Sequence, residues 1–164
     1  MRQTFRLAAE RLISTTHNLA ALLLAVATVL VFYQVVTRFL IGHSAGWSEV
    51  AARGAVVWMV FIAAGAGFRL AAMIPLEFLR SVLPPGPKRL VMAVVTLLTL
   101  AFLLVLVWYG TAMTLRVSTQ QIAMLDIPIS WFYAAIPVGS LLAIPGVILA
   151  HFAPITRPDE EAME

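Results

Sequence analysis

Glu49 and Arg53 stand four residues apart, with the acid nearer the N-terminus. On a helix that order brings carboxylate and guanidinium together, and an exposed pair of this kind adds about 0.2–0.5 kcal/mol. Trp47 and Ser48 come just before them. Ser is a favoured helix-capping residue and Trp settles at headgroup depth, so Trp47 to Arg53 reads as the start of a helix at a membrane–water interface. The same pair also offers a polar contact to a partner protein. Both uses stay open at this level.

The other groups able to do chemistry are His17, His43 and His151. Each lies near the end of an apolar run, and no two share a helix face. Haem ligation in a helical bundle wants axial histidines facing one another inside the bilayer. Cysteine is absent, which removes disulfides, thiolate zinc sites and cysteine nucleophiles together. Neither an H-E-x-x-H pattern nor a phosphate loop occurs. The chain is expected to hold no cofactor and no metal, and to be no enzyme.

The elements that must position these residues follow from composition. The chain has 164 residues, 62% of them hydrophobic and only 12% charged, with a mean hydropathy of +0.96. A water-soluble domain carries about 25% charged residues, so lipid is the natural solvent here. The length suits one domain, residues 1–164. A hydrocarbon core about 30 Å thick needs roughly 20 apolar residues in a helix. Four stretches meet that need, at about 19–40, 54–74, 90–115 and 129–152. Helices are required because lipid leaves no partner for unpaired backbone groups. The apolar run after Arg2, Arg6 and Arg11 exceeds the 7–15 residues of a signal-peptide core, and it reads as a retained first span.

Lys and Arg set the orientation. Arg2, Arg6, Arg11, Arg69, Arg80, Lys88, Arg89 and Arg157 fall on one side, against Arg38, Arg53 and Arg116 on the other. The richer side is expected to be cytoplasmic, with both termini inside. The pI near 10.0 therefore speaks for membrane orientation and not for nucleic acid. Arg38, Arg53, Arg69 and Arg116 at span ends are expected to snorkel to the interface.

The connections and faces have their own character. Phe5, Ala8, Ala9, Leu12 and Ile13 share a face opposite Arg2, Arg6 and Glu10, the pattern of a short helix lying on the membrane surface. Pro84, Pro85 and Pro87 are expected to stop any helix before the third span. That span is long enough to tilt or project. Pro137 and Pro145 predict a kink in the fourth. Small residues recur every four positions at Ala63, Gly67 and Ala71 and at Ala135, Gly139 and Ala143, spacing that lets helix backbones approach closely. Trp58, Phe61, Phe102, Trp108 and Tyr109 are expected to face lipid or a large partner.

Two segments carry a resemblance. One is Trp47-Ser48-Glu49-Val50-Ala51-Ala52-Arg53 with Trp58, Phe61, the small run from Ala63 to Gly67, and Arg69. The other is Ile127-Pro128 with Trp131, Tyr133 and Ile136-Pro137-Val138-Gly139. Their order and spacing resemble the small membrane subunit (DctQ-like) of tripartite ATP-independent periplasmic (TRAP) transporters, from about Leu19 to Phe152. Met73-Ile74 and Glu77 depart from the family pattern, which often has His-Ile and an Asp there.

The resemblance implies an all-α integral membrane fold in the bacterial inner membrane. It implies two partners, a large DctM-like membrane subunit with the substrate and sodium sites and a periplasmic substrate-binding protein. The function implied is sodium-coupled uptake of organic acids, with this chain as a membrane scaffold. Trp47, Glu49, Arg53, Trp58, Arg69, Arg116, Pro128, Tyr133, Pro137 and Gly139 become candidate partner contacts. The alternatives are a self-contained four-helix exporter, which needs a membrane-embedded acid, and a membrane anchor of a redox complex, which needs facing histidines.

Overall fold

The computed structural model describes residues 2–42, 45–71 and 85–152. Helix α1 spans Arg2–Val36 and runs into a π-helical turn, Thr37–Ile41, that ends at Gly42 with φ +73°. Helix α2 spans Gly46–Ala71 and α3 spans Pro85–Arg116. A short α4, Ser130–Tyr133, leads into α5, Ala135–Phe152. The architecture is all-α, and four helical segments are long and apolar enough to cross a membrane: Arg11–Ile41, Gly46–Phe68, Arg89–Arg116 and Ser130–His151.

Several expectations change in detail. The amphipathic N-terminal segment is the beginning of α1 and not a separate helix. No Gly or Pro interrupts the sequence between it and the first span. The Thr15 and Thr16 hydroxyls simply donate back to the Arg11 and Ile13 carbonyls. Pro85-Gly86-Pro87 opens α3. The first backbone N–H groups of a helix have no intrahelical acceptor, so proline costs nothing there. Pro84 and the inner-loop residues Met73, Ile74 and Glu77 lie outside the described residues.

The fourth span breaks at Ala134. Pro137 has no N–H to give the Tyr133 carbonyl, so the helical ladder skips one rung while Ala134 and Val138 donate on either side of it. Pro145 is held within α5. At 32 residues α3 is roughly 48 Å long at 1.5 Å per residue, longer than the hydrocarbon is thick.

In space the helices follow the order α1, α2, α5, α3. The two in the middle are more enclosed: 28% and 44% of their span windows are buried, against 11% for α1 and for α3. Flanking helices thus show most of their apolar surface, including Phe32, Phe39, Leu40, Phe102, Trp108 and Tyr109. The α3–α5 seam is built on Leu103, Ala143 and Val147, with Ala64 and Phe68 of α2 against them.

Several threonines inside the spans are settled locally, whereas the buried Ser140 hydroxyl of α5 has no hydrogen-bond partner among the described residues. Thr28, Thr99, Thr111 and Thr114 each donate the hydroxyl proton to the carbonyl four residues back, a bond that spares an apolar medium an open donor. Charged side chains keep to the helix ends: none occurs between Leu12 and Thr37, Gly54 and Phe68, Leu90 and Leu115, or Ile129 and Phe152.

Candidate functional site

The start of α2 gathers most of the candidate residues. Ser48 is fully buried in its first turn, and its hydroxyl donates to the Ala45 carbonyl at 2.7 Å. It therefore lies inside the helix and does not cap it, since the helix begins two residues earlier at Gly46. Trp47 stacks at a tilt on Tyr33 of α1, with ring centroids 5.8 Å apart.

Glu49 is the hub. Its Oε1 accepts from Arg53 Nη2 at 2.9 Å and its Oε2 accepts from Gln34 Nε2 of α1 at 3.0 Å. Both carboxylate oxygens are thus occupied. Arg53 is 71% exposed and Glu49 53%, so the pair stands on the surface of the α1–α2 seam. Sequence reasoning finds the pair but misses Gln34. The signal was there: Gln34 is the lone amide in the apolar run from Leu19 to Val36.

The connection from α3 to α4 folds over this end. Ile122 N donates to Ile127 O at 2.9 Å and Ile129 N to Gln120 O at 2.8 Å, with Gln121 bridging Pro128 in antiparallel fashion. The tip turns through Met124 and Asp126, at φ +78° and +51°. A Cβ on Gly46 would lie 2.5 Å from Met124 Sδ, so the end of the Met124 side chain rests against the start of α2. Met124 is nevertheless 72% exposed, and Ile127 and Trp131 are exposed beside it. Arg116 ends α3 next to this loop, its cation well placed for the helix C-terminus.

Deeper contacts tie α2 to the α4–α5 unit. Trp58 Nε1 donates to the Trp131 carbonyl at 3.0 Å. A Cβ on Gly54 would strike the Phe132 ring. On Gly139 it would lie 2.5 Å from Phe61 O, and on Gly146 it would strike the Gly65 carbonyl. The stripe Ala135, Gly139 and Ala143 is therefore used inside the chain, against Phe61 and Gly65. The stripe on α2 is not its counterpart, because Gly67 has nothing within 4 Å of a Cβ position. Pro137 is buried where α5 meets α3, its Cδ 3.0 Å from a Cβ placed on Gly110. Tyr133 closes α4, half-buried. Arg69 lies towards the opposite end of α2, apart from this group, and its side chain is outside the described residues.

That opposite end has one polar tie. Thr96 Oγ1 and His151 Nδ1 are 2.9 Å apart, bridging α3 and α5, while Thr96 also donates to Met92 O. With the hydroxyl proton on Met92, the imidazole Nδ1–H is the donor. A shallow groove lined by Phe68, Met92, Val95, Thr99 and Ala150 runs alongside.

Among the described residues, no three of His, Asp and Glu converge on one point. One string, Gly42-His43-Ser44-Ala45-Gly46, has the enzyme-like G-x-S-x-G spacing. That motif works on a strand-to-helix turn, whereas here it joins the end of a π-helical turn to α2, with His43 and Ser44 outside the described residues. What the arrangement does is lock helices together by backbone approach and a few directed hydrogen bonds.

Residues 27–155 match the family described as tripartite ATP-independent periplasmic transporters, DctQ component. No curated protein matches the chain.

Proposed function

The chain belongs to the DctQ component family of tripartite ATP-independent periplasmic transporters, and from that premise we propose that it is the scaffold of a sodium-coupled uptake system for organic acids. It is a small membrane subunit of such a transporter. Its proposed work is mechanical: one four-helix domain, residues 1–164, in the bacterial inner membrane with both termini in the cytoplasm. It would hold the immobile part of a large DctM-like subunit, which binds substrate and sodium. A periplasmic binding protein would deliver the substrate to the outer side, where the Gly46 end and the hairpin lie in this orientation.

The observation that carries the reading is the division between seams and middles. The α2–α5 seam is closed backbone to backbone at Gly139 and Gly146, and the helix middles hold no charged side chain. Solute-coupled carriers keep ionisable groups or broken-helix sites near the midplane. A chain built this way braces a neighbour.

The test is deletion. Loss of this subunit should abolish uptake while the binding protein keeps its substrate affinity. Uptake at the normal rate without it would overturn the scaffold role. Solute movement by the subunit alone in liposomes would favour the self-contained carrier instead.

A further inference from the structure

At the end of the bundle away from the hairpin, three helices wall a groove: Phe68 of α2, Met92, Val95 and Thr99 of α3, and Val147 and Ala150 of α5. We propose that this groove holds one acyl chain of an anionic phospholipid, whose headgroup phosphate sits on Arg89.

Three charge boundaries meet at the rim and fix its depth. Phe68 is followed directly by Arg69. Met92 stands three residues inside Arg89, beyond which α3 carries no charge until Arg116. Ala150 precedes His151, two residues from the end of α5. From that rim the groove rises along α3 from Met92 to Thr99, about 10 Å at 1.5 Å per residue. Its mouth is therefore at headgroup level and its length lies in the apolar part of the spans.

Size and polarity select the occupant. The open space is about 350 Å³. Spread over that length it makes a channel about 6 Å wide, too narrow for a helix of roughly 10–12 Å with its side chains. A chain one methylene wide fits. The hydroxyls on the α3 wall ask for no polar ligand, because Thr96 donates to Met92 O and Thr99 to Val95 O. The 2.9 Å contact between Thr96 Oγ1 and His151 Nδ1 ties the α3 wall to the α5 wall, so the groove keeps its width without an occupant.

Charge selects the headgroup. Arg89 is exposed and precedes Met92, Thr96 and Thr99 by three, seven and ten residues, which puts all four on one helix face. The cation thus stands one turn outside the mouth. Helix α5, packed against α3, carries no acid. Glu49 and Asp126 belong to the hairpin end, and Glu10 is on α1, separated from α3 by α2 and α5. Among the described residues no carboxylate meets Arg89, and basic positions between helices at a membrane surface draw anionic headgroups. Leu97 and Leu104, exposed on the far side of α3, have neither a groove nor a cation beside them.

The site needs only a bilayer around these helices and stands apart from the scaffold role. Native mass spectrometry of the full-length chain in mild detergent counts bound lipid during titration with phosphatidylglycerol or phosphatidylcholine. One phosphatidylglycerol should bind about fivefold more tightly than phosphatidylcholine, the effect of one cation at a membrane surface. Arg89→Gln should erase that preference. Val95→Trp and Ala150→Phe, which fill the groove from α3 and α5, should each lower the binding of both lipids, and Leu97→Trp should not. Val95 is on the open rim, 37% exposed, so its replacement leaves the core packing in place. Equal affinity of the unaltered chain for the two lipids would overturn the role of Arg89. Parental binding by both groove variants, or an equal loss for Leu97→Trp, would overturn the site. Displacement of the lipid when the large subunit is co-purified would give the groove to that subunit and overturn the proposal as well.

Discussion

The Gln34 side-chain amide of α1 donates to Glu49 Oε2 of α2 at 3.0 Å, so an acid already paired along its own helix also fastens the neighbouring one. Interhelical hydrogen bonds of this kind are worth about 0.6 kcal/mol on average in a membrane, with about 1.7 as the upper end. Gln34→Leu and Glu49→Ala should each destabilise the folded subunit, and the double variant should lose less than the sum. A double-mutant cycle on reversible unfolding in detergent or bicelles measures this. Strict additivity would mean the bond contributes nothing to the α1–α2 seam.

Gly139 and Gly146 let α5 touch the backbone of α2. Gly139→Leu should push the helices apart and cost about 1–3 kcal/mol, the usual range for overpacking. Gly146→Ala should act in the same direction because its Cβ meets the Gly65 carbonyl. Gly67→Ala is the matched control, with an expected gain of about 0.5–1 kcal/mol from helix propensity alone. Equal thermal midpoints for all three variants would sink the assignment of this seam.

Trp58 reaches across to the Trp131 carbonyl. Trp58→Phe keeps the aromatic bulk and removes the donor, so a loss of about 1 kcal/mol is expected. Trp58→Leu should lose more, because packing goes as well. Stability of Trp58→Phe equal to the parent would show that this bond is exchanged freely for another.

Thr96 and His151 bridge α3 and α5 at 2.9 Å. Thr96→Val preserves shape and deletes the hydroxyl. It should cost about 0.6–1.7 kcal/mol, and the loss on His151→Phe should be smaller in the Thr96→Val background than in the parent. An equal loss in both backgrounds would show that the two side chains do not stabilise each other.

The four spans were legible because long uncharged apolar runs are a property of the chain itself. The same holds for the Glu49–Arg53 pair, which is fixed by a spacing of four on one helix. What escaped depends on neighbours. Gln34 acquires meaning only when α1 is laid against α2. Of two similar small-residue stripes, one is buried at Phe61 and Gly65 and the other is open at Gly67. Nothing in their spacing distinguishes them, since a period names a face but not what covers it. Pro85 and Pro87 stand within the start of α3 for a local reason: the first turn of a helix has no bond for them to break.

The charge-free helix middles have an electrical consequence. A membrane potential does work of about 2.3 kcal/mol per 100 mV on each elementary charge carried across. The charged side chains of these spans stay near the ends, as with Arg11, Arg38, Glu49, Arg53, Arg89 and Arg116. Small tilts or slides of the helices therefore carry almost no charge through the field. Voltage that pulls on a moving carrier would leave this chain where it is, so any gating current of the whole assembly should arise in other subunits.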